Sequence, residues 1–247
     1  MNKILTAIII PSYNETLALP KLLTELRSEL TEAEAVIVMD DSEASTSNEI
    51  RNTCLEIVKG YDFQFVFENS GKKQGRGSAI RRGMHLAHST FESLQHVIEC
   101  DADGSHRAED ILRVKNFDYG SDLLIGSRYL KGSRIIGWPL SRRLFSWFLN
   151  HLIPALTKVP VSDITNGLRR YSKAAIEKIL QTKQENSGFI YLSEQALIVK
   201  NSNLQITEIP IIFVDRTLGK STVTWREISN SLIGVTKILL SNLVRKN

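Results

Sequence analysis

The chain is poor in cysteine, has no long apolar run and carries no strong excess of charge. Only two of its 247 residues are cysteines, Cys54 and Cys100, and they lack the spacing of a metal site. Each lies within an apolar stretch, so we expect two buried thiols in a reducing compartment. The net charge of +4 suits an anionic ligand or an anionic membrane surface, but it is too small to indicate nucleic-acid binding.

No stretch approaches the roughly 20 apolar residues that a membrane-spanning helix requires. The nearest are 144–156 and 228–244, and Lys237 interrupts the second of these. The apolar run near the N-terminus is brief and lacks a small-residue cleavage site, so it predicts a first β-strand rather than a signal peptide. We therefore expect a cytoplasmic protein without a transmembrane span, peripheral on the cytoplasmic face of the membrane.

The first 129 residues alternate apolar strands with helices. Continuous apolar runs predict buried strands, and apolar residues at helical spacing predict the helices between them. The predicted strands cover 6–10, 35–39, 63–67, 96–100 and 122–126. The predicted helices cover 17–30, 45–60, 78–88 and 107–117. Repeated β-α units with short loops indicate an α/β fold with a mostly parallel sheet and helices on both faces.

Beyond residue 130 the pattern is less regular. No Pro/Ser-rich linker divides the chain, so we predict one domain over residues 1–247. The predicted elements are a loop at 129–143, an amphipathic helix at about 140–156, a turn and strand within 163–172, helices at 173–180 and 188–202, a strand at 205–216 and an amphipathic helix at 224–247.

A polar cluster follows each of the five predicted strands of the first half. In chain order the clusters are PSYNE, DDS, NSGKKQGRG, DADGSH and GSRY. Because ligands gather beyond the carboxyl ends of parallel strands, these clusters predict one binding site at a single edge of the sheet.

Asp101 and Asp103 form the most informative of these clusters. Closely spaced carboxylates can hold a hard divalent cation that also bridges a diphosphate and offsets charge on a leaving nucleoside diphosphate. The alternative is an acidic turn that caps the helix at 107. The segment NSGKKQGRG lacks the Walker ending and the order of dinucleotide sites. Its cations Lys72, Lys73 and Arg76 suit an anion site, but a tight turn before a helix remains an equal alternative.

The motifs IIIPSYNE, VIVMDDS, GRGSAIRRGM, DADGSH and GSRY occur in the order and spacing of glycosyltransferase family 2. With a GW…SRR loop, DITNGLRRYS, GFIYLSEQ and EIPIIFVDRTLGKS, the chain resembles the dolichol- or polyprenol-phosphate mannose synthases over nearly its whole length. The resemblance implies a nucleotide-diphospho-sugar transferase (GT-A) fold with Mg²⁺ or Mn²⁺ as cofactor. It also implies a nucleotide-sugar-binding half at 1–129 and an acceptor-binding half at 130–223.

By the same resemblance, the expected reaction is an inverting transfer of a hexose from a nucleotide sugar to a polyprenyl or dolichyl phosphate. Mannose from GDP-mannose is the first candidate. One alternative is another nucleotide sugar, or a saccharide hydroxyl as acceptor. A non-catalytic nucleotide-binding protein is a third hypothesis, which the intact Asp101, Asp103 and Arg128 disfavour.

The resemblance further implies roles for individual residues. The donor would contact Pro11, Tyr13, Glu15, Asp40, Asp101, Ala102, Asp103 and Arg128. The metal would be held by Asp101, Asp103 and Ser105. The acceptor phosphate would be bound by Arg142, Arg143, Arg169, Arg216 and Lys220. The residues expected to act in catalysis are Asp103, Arg128, Glu194 and Arg216.

Three positions depart from the family pattern. Ser42 follows the paired aspartates at once, Thr222 stands where a lysine is expected, and Gln195 replaces the second residue of an acidic pair. A phosphate acceptor is already a dianion near neutral pH and needs no general base, so Gln195 favours a phosphate over a hydroxyl acceptor.

Aromatic side chains flank Arg142 and Arg143 in the loop and helix that follow residue 130. They are Trp138, Phe145, Trp147 and Phe148. Such a mixture suits a helix that lies on a membrane surface, and the alternative is that these rings pack on the sheet.

Overall fold

A computed structural model describes residues 3–117, 120–183 and 190–216. The strands in these ranges are β1 Thr6–Ser12, β2 Glu34–Asp40, β3 Gln64–Asn69, β4 His96–Glu99, β5 Leu123–Ser127, β6 Arg134–Ile136, β7 Arg169–Ser172, β8 Ile206–Pro210 and β9 Ile212–Val214. The α-helices are α1 Ala18–Leu26, α2 Ala44–Val58, α3 Arg76–Thr90, α4 Ala108–Lys115, α5 Leu140–Thr157, α6 Lys173–Gln181 and α7 Tyr191–Asn201. The predicted helix at 224–247 lies outside the described residues.

Seven strands form one sheet in the order β3-β2-β1-β4-β7-β5-β8. Strand β7 runs antiparallel to both of its neighbours, and the other adjacent pairs are parallel. The predicted α/β class with a mostly parallel sheet is therefore confirmed. Because β7 is reversed, its first residue lies at the same edge as the carboxyl ends of the parallel strands.

Helices cover both faces of this sheet, as β1 illustrates. Ala7 and Ile9 belong to a core that includes apolar residues of α3, α6 and α7. Ile8 and Ile10 point the other way, into a core that includes residues of α1, α2 and α4. Successive side chains of a strand alternate between faces, so a strand covered on both sides must be apolar throughout. The run TAIII meets that requirement.

The chain order of the strands reverses between β1 and β4. From β1 the chain continues outward to β2 and β3, and it then returns to place β4 on the opposite side of β1. Loops that leave β1 and β4 diverge at such a point and open a crevice at the carboxyl edge. Tyr13 and Glu15 follow β1, and Asp101 and Asp103 follow β4, so these side chains lie at that crevice.

The prediction of a single strand at 205–216 was wrong. Strand β8 pairs with β5 as far as Pro210, and the chain then leaves the large sheet. After Ile211 it forms β9, which pairs in parallel with β6 in a separate two-stranded sheet. Sequence periodicity did not reveal β6, because three residues within a Gly-rich loop are too few to show a strand pattern.

Among the described residues, no helix is both long and apolar enough to cross a membrane. Helix α5 nevertheless leaves large apolar side chains exposed. Trp147 and Phe148 are each 51% exposed, whereas Trp138, which precedes the helix, is buried. The two cysteines are free and buried, as predicted.

Candidate active site

The loop from Asp101 to His106 is tied to the end of the chain's last described strand. The backbone N–H of Val214 in β9 donates to the carbonyl of Ser105 at 3.2 Å, and His106 forms a backbone bridge with Phe213. Within the loop, the N–H of Ser105 donates to Asp103 Oδ1 at 3.0 Å. These contacts bring Arg216, two residues beyond β9, to the acidic loop.

Asp103 and Arg216 form an ion pair at the crevice. Asp103 Oδ2 lies 3.2 Å from Arg216 Nη2, and both side chains are largely shielded from solvent. Burial and the charges of Asp103 and Asp101 raise the pKa of Glu15, while Arg216 opposes them, so Glu15 belongs to the same group of charges. The structure brings these four residues to one edge of the sheet, and their shared role in a site stays a prediction.

Asp101 is held by a cation from the Gly-rich segment. Arg76 Nε donates to Asp101 Oδ1 at 2.6 Å. Burial raises the pKa of Asp101, but the charge and hydrogen bond of Arg76, together with the charge of Arg216, more than offset that effect and lower it to about 2. His106 Nδ1 accepts the Asp101 backbone N–H at 3.0 Å, so its ring proton lies on Nε2 and faces Asn166 Oδ1.

The residues of this loop fit a divalent cation that also contacts substrate phosphates. Mg²⁺ is commonly bound by one or two carboxylates, with phosphate oxygens and water completing its coordination. Asp103 supplies a carboxylate, and the buried hydroxyl of Ser105 has no hydrogen-bond partner among the described residues. In the same part of the chain no three His, Cys, Asp or Glu side chains gather as a metal cluster.

The expected donor residues lie along the edge formed by β1, β2 and β4. Pro11, the next-to-last residue of β1, is half-buried, and Ala102 is buried between the two aspartates. Tyr13 is 38% exposed, and Lys73 of the Gly-rich segment lies 4.7 Å above its ring. Asp40 differs from the expectation because it is fully buried, and its two oxygens accept from Ser42 Oγ at 2.8 Å and Asn69 Nδ2 at 3.1 Å.

Arg128 is fixed by the DITNG segment that precedes β7. Its Nε and Nη2 donate to the two oxygens of Asp163 at 2.7 and 2.8 Å, and Nη2 also donates to Thr165 at 2.7 Å. Its guanidinium lies 5.0 Å from the ring of Trp138. Burial lowers the pKa of Arg128, but Asp163 more than offsets this effect, so the residue stays a buried cation.

Arg142 contacts the same tryptophan. Its guanidinium lies 4.1 Å from the Trp138 ring, and Nη1 donates to Asp215 at 2.8 Å. Burial lowers the pKa of Arg142; Asp215 opposes that effect, while Arg216 and Arg128 lower the pKa further. The charges of Arg128 and Arg216, from separate parts of the chain, therefore both act on Arg142.

The remaining arginines predicted to bind the acceptor lie elsewhere. Arg143 Nη2 donates to the carbonyl of Ile135 at 2.5 Å, beside β6. Arg169 is fully buried, and its guanidinium donates to the carbonyls of Asn166, Leu192 and Ile164. This placement disagrees with an acceptor role for Arg169, because the interior holds its charge away from any surface. Lys220 lies outside the described residues.

A buried polar network lies beneath the acidic loop. Glu99, fully buried in β4, accepts from Tyr171 at 2.8 Å and from Tyr191 at 2.7 Å. Tyr171 also contacts the side chain of Gln195 at 2.7 Å. Glu194 lies half-buried in the first turn of α7, one residue before Gln195. Its expected role near the arginines stays a prediction.

Sequence reasoning marked DITNG as a motif but assigned no role to its residues. The structure places Asp163 on Arg128, Asn166 on His106, and the carbonyl of Gly167 on Arg76 at 3.1 Å. The available signal was a compact polar cluster directly before a strand. Its importance was hidden because a cluster before a strand faces the site only when that strand is antiparallel.

Comparison with known proteins agrees with this geometry. The family model described as glycosyl transferase family 2 matches residues 7–180. The chain is 29% identical over 229 residues to an undecaprenyl-phosphate mannosyltransferase of Micrococcus luteus, covering 93% of this chain and 91% of that protein. It is 29% identical over 231 residues to a polyprenol monophosphomannose synthase of Mycolicibacterium smegmatis, covering 93% of this chain and 85% of that protein.

Solved structures share the fold at low sequence identity. Glucosyl-3-phosphoglycerate synthase of Mycobacterium tuberculosis, in complex with Mn²⁺, UDP and phosphoglyceric acid, aligns with a TM-score of 0.62 at 16% identity, over 96% of this chain and 78% of that chain. A mannosyltransferase of Pyrobaculum calidifontis in complex with GDP-Man and Mn²⁺ aligns with a TM-score of 0.63 at 17% identity, over 96% of this chain and 64% of that chain. The order of motifs, the GT-A-like fold and the family match agree, and the chain belongs to glycosyl transferase family 2.

Proposed function

We propose that this enzyme transfers mannose from GDP-mannose to a polyprenyl phosphate, using Mg²⁺ or Mn²⁺. The observation that carries the proposal is the group formed by Arg128, Arg142 and Arg216 beside Asp103. Both Arg128 and Arg142 stack on Trp138, and Arg216 pairs with Asp103 at 3.2 Å. The relatives named above as polyprenyl-phosphate mannosyltransferases support the choice of sugar and acceptor.

The arginine group suits a phosphate acceptor better than a sugar hydroxyl. The planar guanidinium group of arginine can donate two parallel hydrogen bonds to phosphate oxygens. A bound anion also offsets the repulsion between neighbouring guanidinium groups. A phosphate monoester has a second pKa near 6, so near neutral pH it is mostly a dianion and needs no general base to remove a proton before it attacks. In this proposal residues 1–129 bind the donor, and residues 130–223 position the acceptor.

The proposed reaction is a single displacement at the anomeric carbon. An acceptor phosphate oxygen forms the new bond while the bond to the diphosphate of the donor breaks, so an α-linked donor gives a β-linked product. A divalent cation at Asp103, with Ser105 beside it, would offset the charge that develops on the leaving diphosphate. Arg128 and Arg142 would hold the attacking phosphate, and no protein nucleophile is needed.

We also propose that the enzyme is peripheral on the cytoplasmic face of the membrane. The exposed apolar side chains of α5 support this placement; they are Leu140, Leu144, Phe145, Trp147, Phe148 and Leu156. Arg142 and Arg143 lie on the same helix, and a mixture of apolar and cationic groups favours an anionic lipid surface. A lipid-linked acceptor would then reach the arginine group directly from the bilayer.

A transfer assay tests the function. Purified protein is incubated with radiolabelled GDP-mannose, a polyprenyl phosphate and Mn²⁺, and the product is extracted into organic solvent. We expect label in the organic phase, a requirement for metal that EDTA abolishes, and a β-linked mannosyl phosphate by NMR. Parallel reactions with UDP-glucose and with a prenyl alcohol test the alternative donor and acceptor. An α-linked product would contradict the mechanism, and label from UDP-glucose alone would reassign the sugar.

A further inference from the structure

The segment 162–165, which comes shortly before β7, is held on one side by a carboxylate. Glu208 of β8 accepts the backbone N–H of Ser162 at 2.7 Å with one oxygen and that of Asp163 at 2.9 Å with the other. The second oxygen also accepts from the Ser162 hydroxyl at 2.9 Å. Hydrogen bonds to an ionised acceptor are stronger than those between neutral groups, so Glu208 fixes the start of the segment firmly.

The other half of the segment 162–165 is held by a buried amide. Asn150 Oδ1 in α5 accepts the backbone N–H of Ile164 at 2.8 Å and that of Thr165 at 3.2 Å. Asn150 Nδ2 donates to Thr165 Oγ1 at 3.0 Å. Four consecutive backbone N–H groups are therefore bound by two side chains from distant elements. Because the segment belongs to no helix or strand, these two side chains supply the hydrogen bonds that a regular element would provide.

The segment in turn binds Arg128 through two of its side chains. Asp163 accepts from Nε and Nη2 of the guanidinium, and it also accepts the backbone N–H of Arg128 at 2.9 Å. Thr165 Oγ1 accepts from Nη2 at 2.7 Å, so one hydroxyl joins Asn150 to Arg128. The hydrogen bonds of the guanidinium use Nε and Nη2, and among the described residues none involves Nη1. This arrangement leaves Nη1 for a ligand.

We propose that Glu208 and Asn150 are positioning residues, which fix the segment 162–165 and thereby hold Arg128 with Nη1 available to the acceptor phosphate. The inference rests on the proposed function, in which Arg128 binds that phosphate. Arginine has a long side chain with many rotamers, and ordering it on binding lowers affinity. A guanidinium that is fixed in advance avoids this cost and needs no reorganisation when the phosphate arrives.

A matched pair of carboxylate-to-amide changes tests the part of Glu208. Glu208→Gln keeps the size of the side chain but places a donor against a backbone N–H. We expect kcat/KM for a short-chain polyprenyl phosphate to fall by about tenfold or more, because a small displacement of a binding group is costly. The Kd of GDP-mannose, measured by calorimetry, should change by less than about twofold.

Asp122→Asn is the control for Glu208→Gln. Asp122 also accepts a backbone N–H, that of Gln205 at 2.9 Å, and a serine hydroxyl, that of Ser172 at 2.7 Å. It directly precedes β5 and therefore lies at the opposite edge of the sheet from the candidate site. Its variant should keep the acceptor kcat/KM within about twofold of wild type.

A double-mutant cycle separates positioning from a general effect on the fold. Asn150→Ala removes the amide, whereas Thr165→Val keeps the backbone N–H groups on Asn150 and removes only the hydroxyl that reaches Arg128. Each should lower the acceptor kcat/KM by about fivefold or more in the otherwise unchanged protein. In Arg128→Ala protein, which has lost the group that they position, these changes and Glu208→Gln should each alter the remaining kcat/KM by less than about twofold.

Equal factors in the two backgrounds would overturn the proposal, because they would show an effect that does not pass through Arg128. A loss of GDP-mannose affinity as large as the loss in acceptor kcat/KM would overturn it as well. If Asn150→Ala or Glu208→Gln fails to fold, Thr165→Val still decides the question. Wild-type protein that transfers mannose, with Glu208→Gln and Thr165→Val within about twofold of it, would refute this inference alone. Wild-type protein that transfers no sugar to polyprenyl phosphate would refute the proposed function with it.

Discussion

Arg128 is a buried cation that the fold holds from several sides. Asp163 accepts from two of its nitrogens, Thr165 from one, and Trp138 and Phe213 lie 5.0 and 5.3 Å from its guanidinium carbon. A preorganised cation of this kind stabilises developing charge without a reorganisation cost at the moment of reaction.

We expect Arg128→Ala and Arg216→Ala each to reduce kcat/KM by about 10²–10³-fold, because each leaves phosphate charge unpaired in a shielded site. Steady-state kinetics with a short-chain polyprenyl phosphate measures the effect. Arg134→Ala, in the exposed strand β6, is the control and should stay close to wild type. Variants within about twofold of wild type would exclude Arg128 and Arg216 as phosphate ligands.

Asp163 should matter for folding as well as for activity. Asp163→Asn removes the counter-charge of a buried guanidinium, and breaking such a pair from one side costs about 3–5 kcal/mol in the free energy of unfolding. Denaturant unfolding measures this loss, and Arg128→Met in the same background should restore part of it because the unpaired charge is gone. An unchanged midpoint in Asp163→Asn would contradict the ion pair.

Asp101 makes a pH-dependent contribution to the free energy of unfolding, and the sign of this contribution follows from the pKa of its carboxyl group. The pKa is about 2 in the folded protein, below its ordinary value of 3.8, so the ionised form is stabilised by folding. This contribution is present above about pH 4 and is lost as the pH falls toward 2; its size is on the order of 2 kcal/mol. The stability difference between wild type and Asp101→Asn should therefore shrink over that range. A difference that stays constant from pH 5 to pH 2 would rule out the depressed pKa.

At the scale of elements, α5 combines two surfaces. Ser146, Asn150 and Ile153 are buried against the protein, while Trp147 and Phe148 between them remain exposed. This periodicity is that of an amphipathic helix, but its outer face is apolar rather than charged. An apolar outer face has a free-energy advantage only when something other than water covers it.

We expect the double variant Trp147→Ser, Phe148→Ser to reduce binding to vesicles that contain anionic lipid by about tenfold or more. The loss of each ring reduces the apolar area that is buried in the membrane. Co-sedimentation measures the binding. Leu17→Ser is the control, because Leu17 is 67% exposed but lies at the start of α1. Thermal stability should be unchanged in both proteins, and equal vesicle binding by both would place the membrane contact elsewhere.

At the scale of the whole molecule, both thiols lie in the core cluster that also contains residues of α1, α2 and α4. Burial, reinforced by the charge of Asp40, raises the pKa of Cys54 to about 12, and burial likewise raises the pKa of Cys100. Only a thiolate reacts readily, so both groups should be inert in the folded protein at pH 8. Titration with a thiol reagent should detect none before unfolding and two after addition of denaturant. Rapid reaction of either thiol in the native protein would contradict its burial.

The sequence by itself determined the class of the fold and predicted which polar clusters lie at one edge of its sheet. Continuous apolar runs such as TAIII and AVIVM need no tertiary information to predict buried strands, because a strand covered on both faces must be apolar throughout. The polar clusters after these strands then follow from the rule for parallel sheets. The positions of Asp103 and Glu15 beside Arg216 agree with that reasoning.

Only the tertiary structure decided which charges pair. The reversal of β7 brings DITNG to the site, so Asp163 meets Arg128, and Gly167 admits Arg76 to Asp101. The same strand turns Arg169 into the interior. In the sequence Arg169 resembles a site arginine, but in the structure it donates to backbone carbonyls. A sequence shows which residues carry charge, but partners that are 25 to 91 positions apart meet only through strand order and direction, which local patterns do not encode.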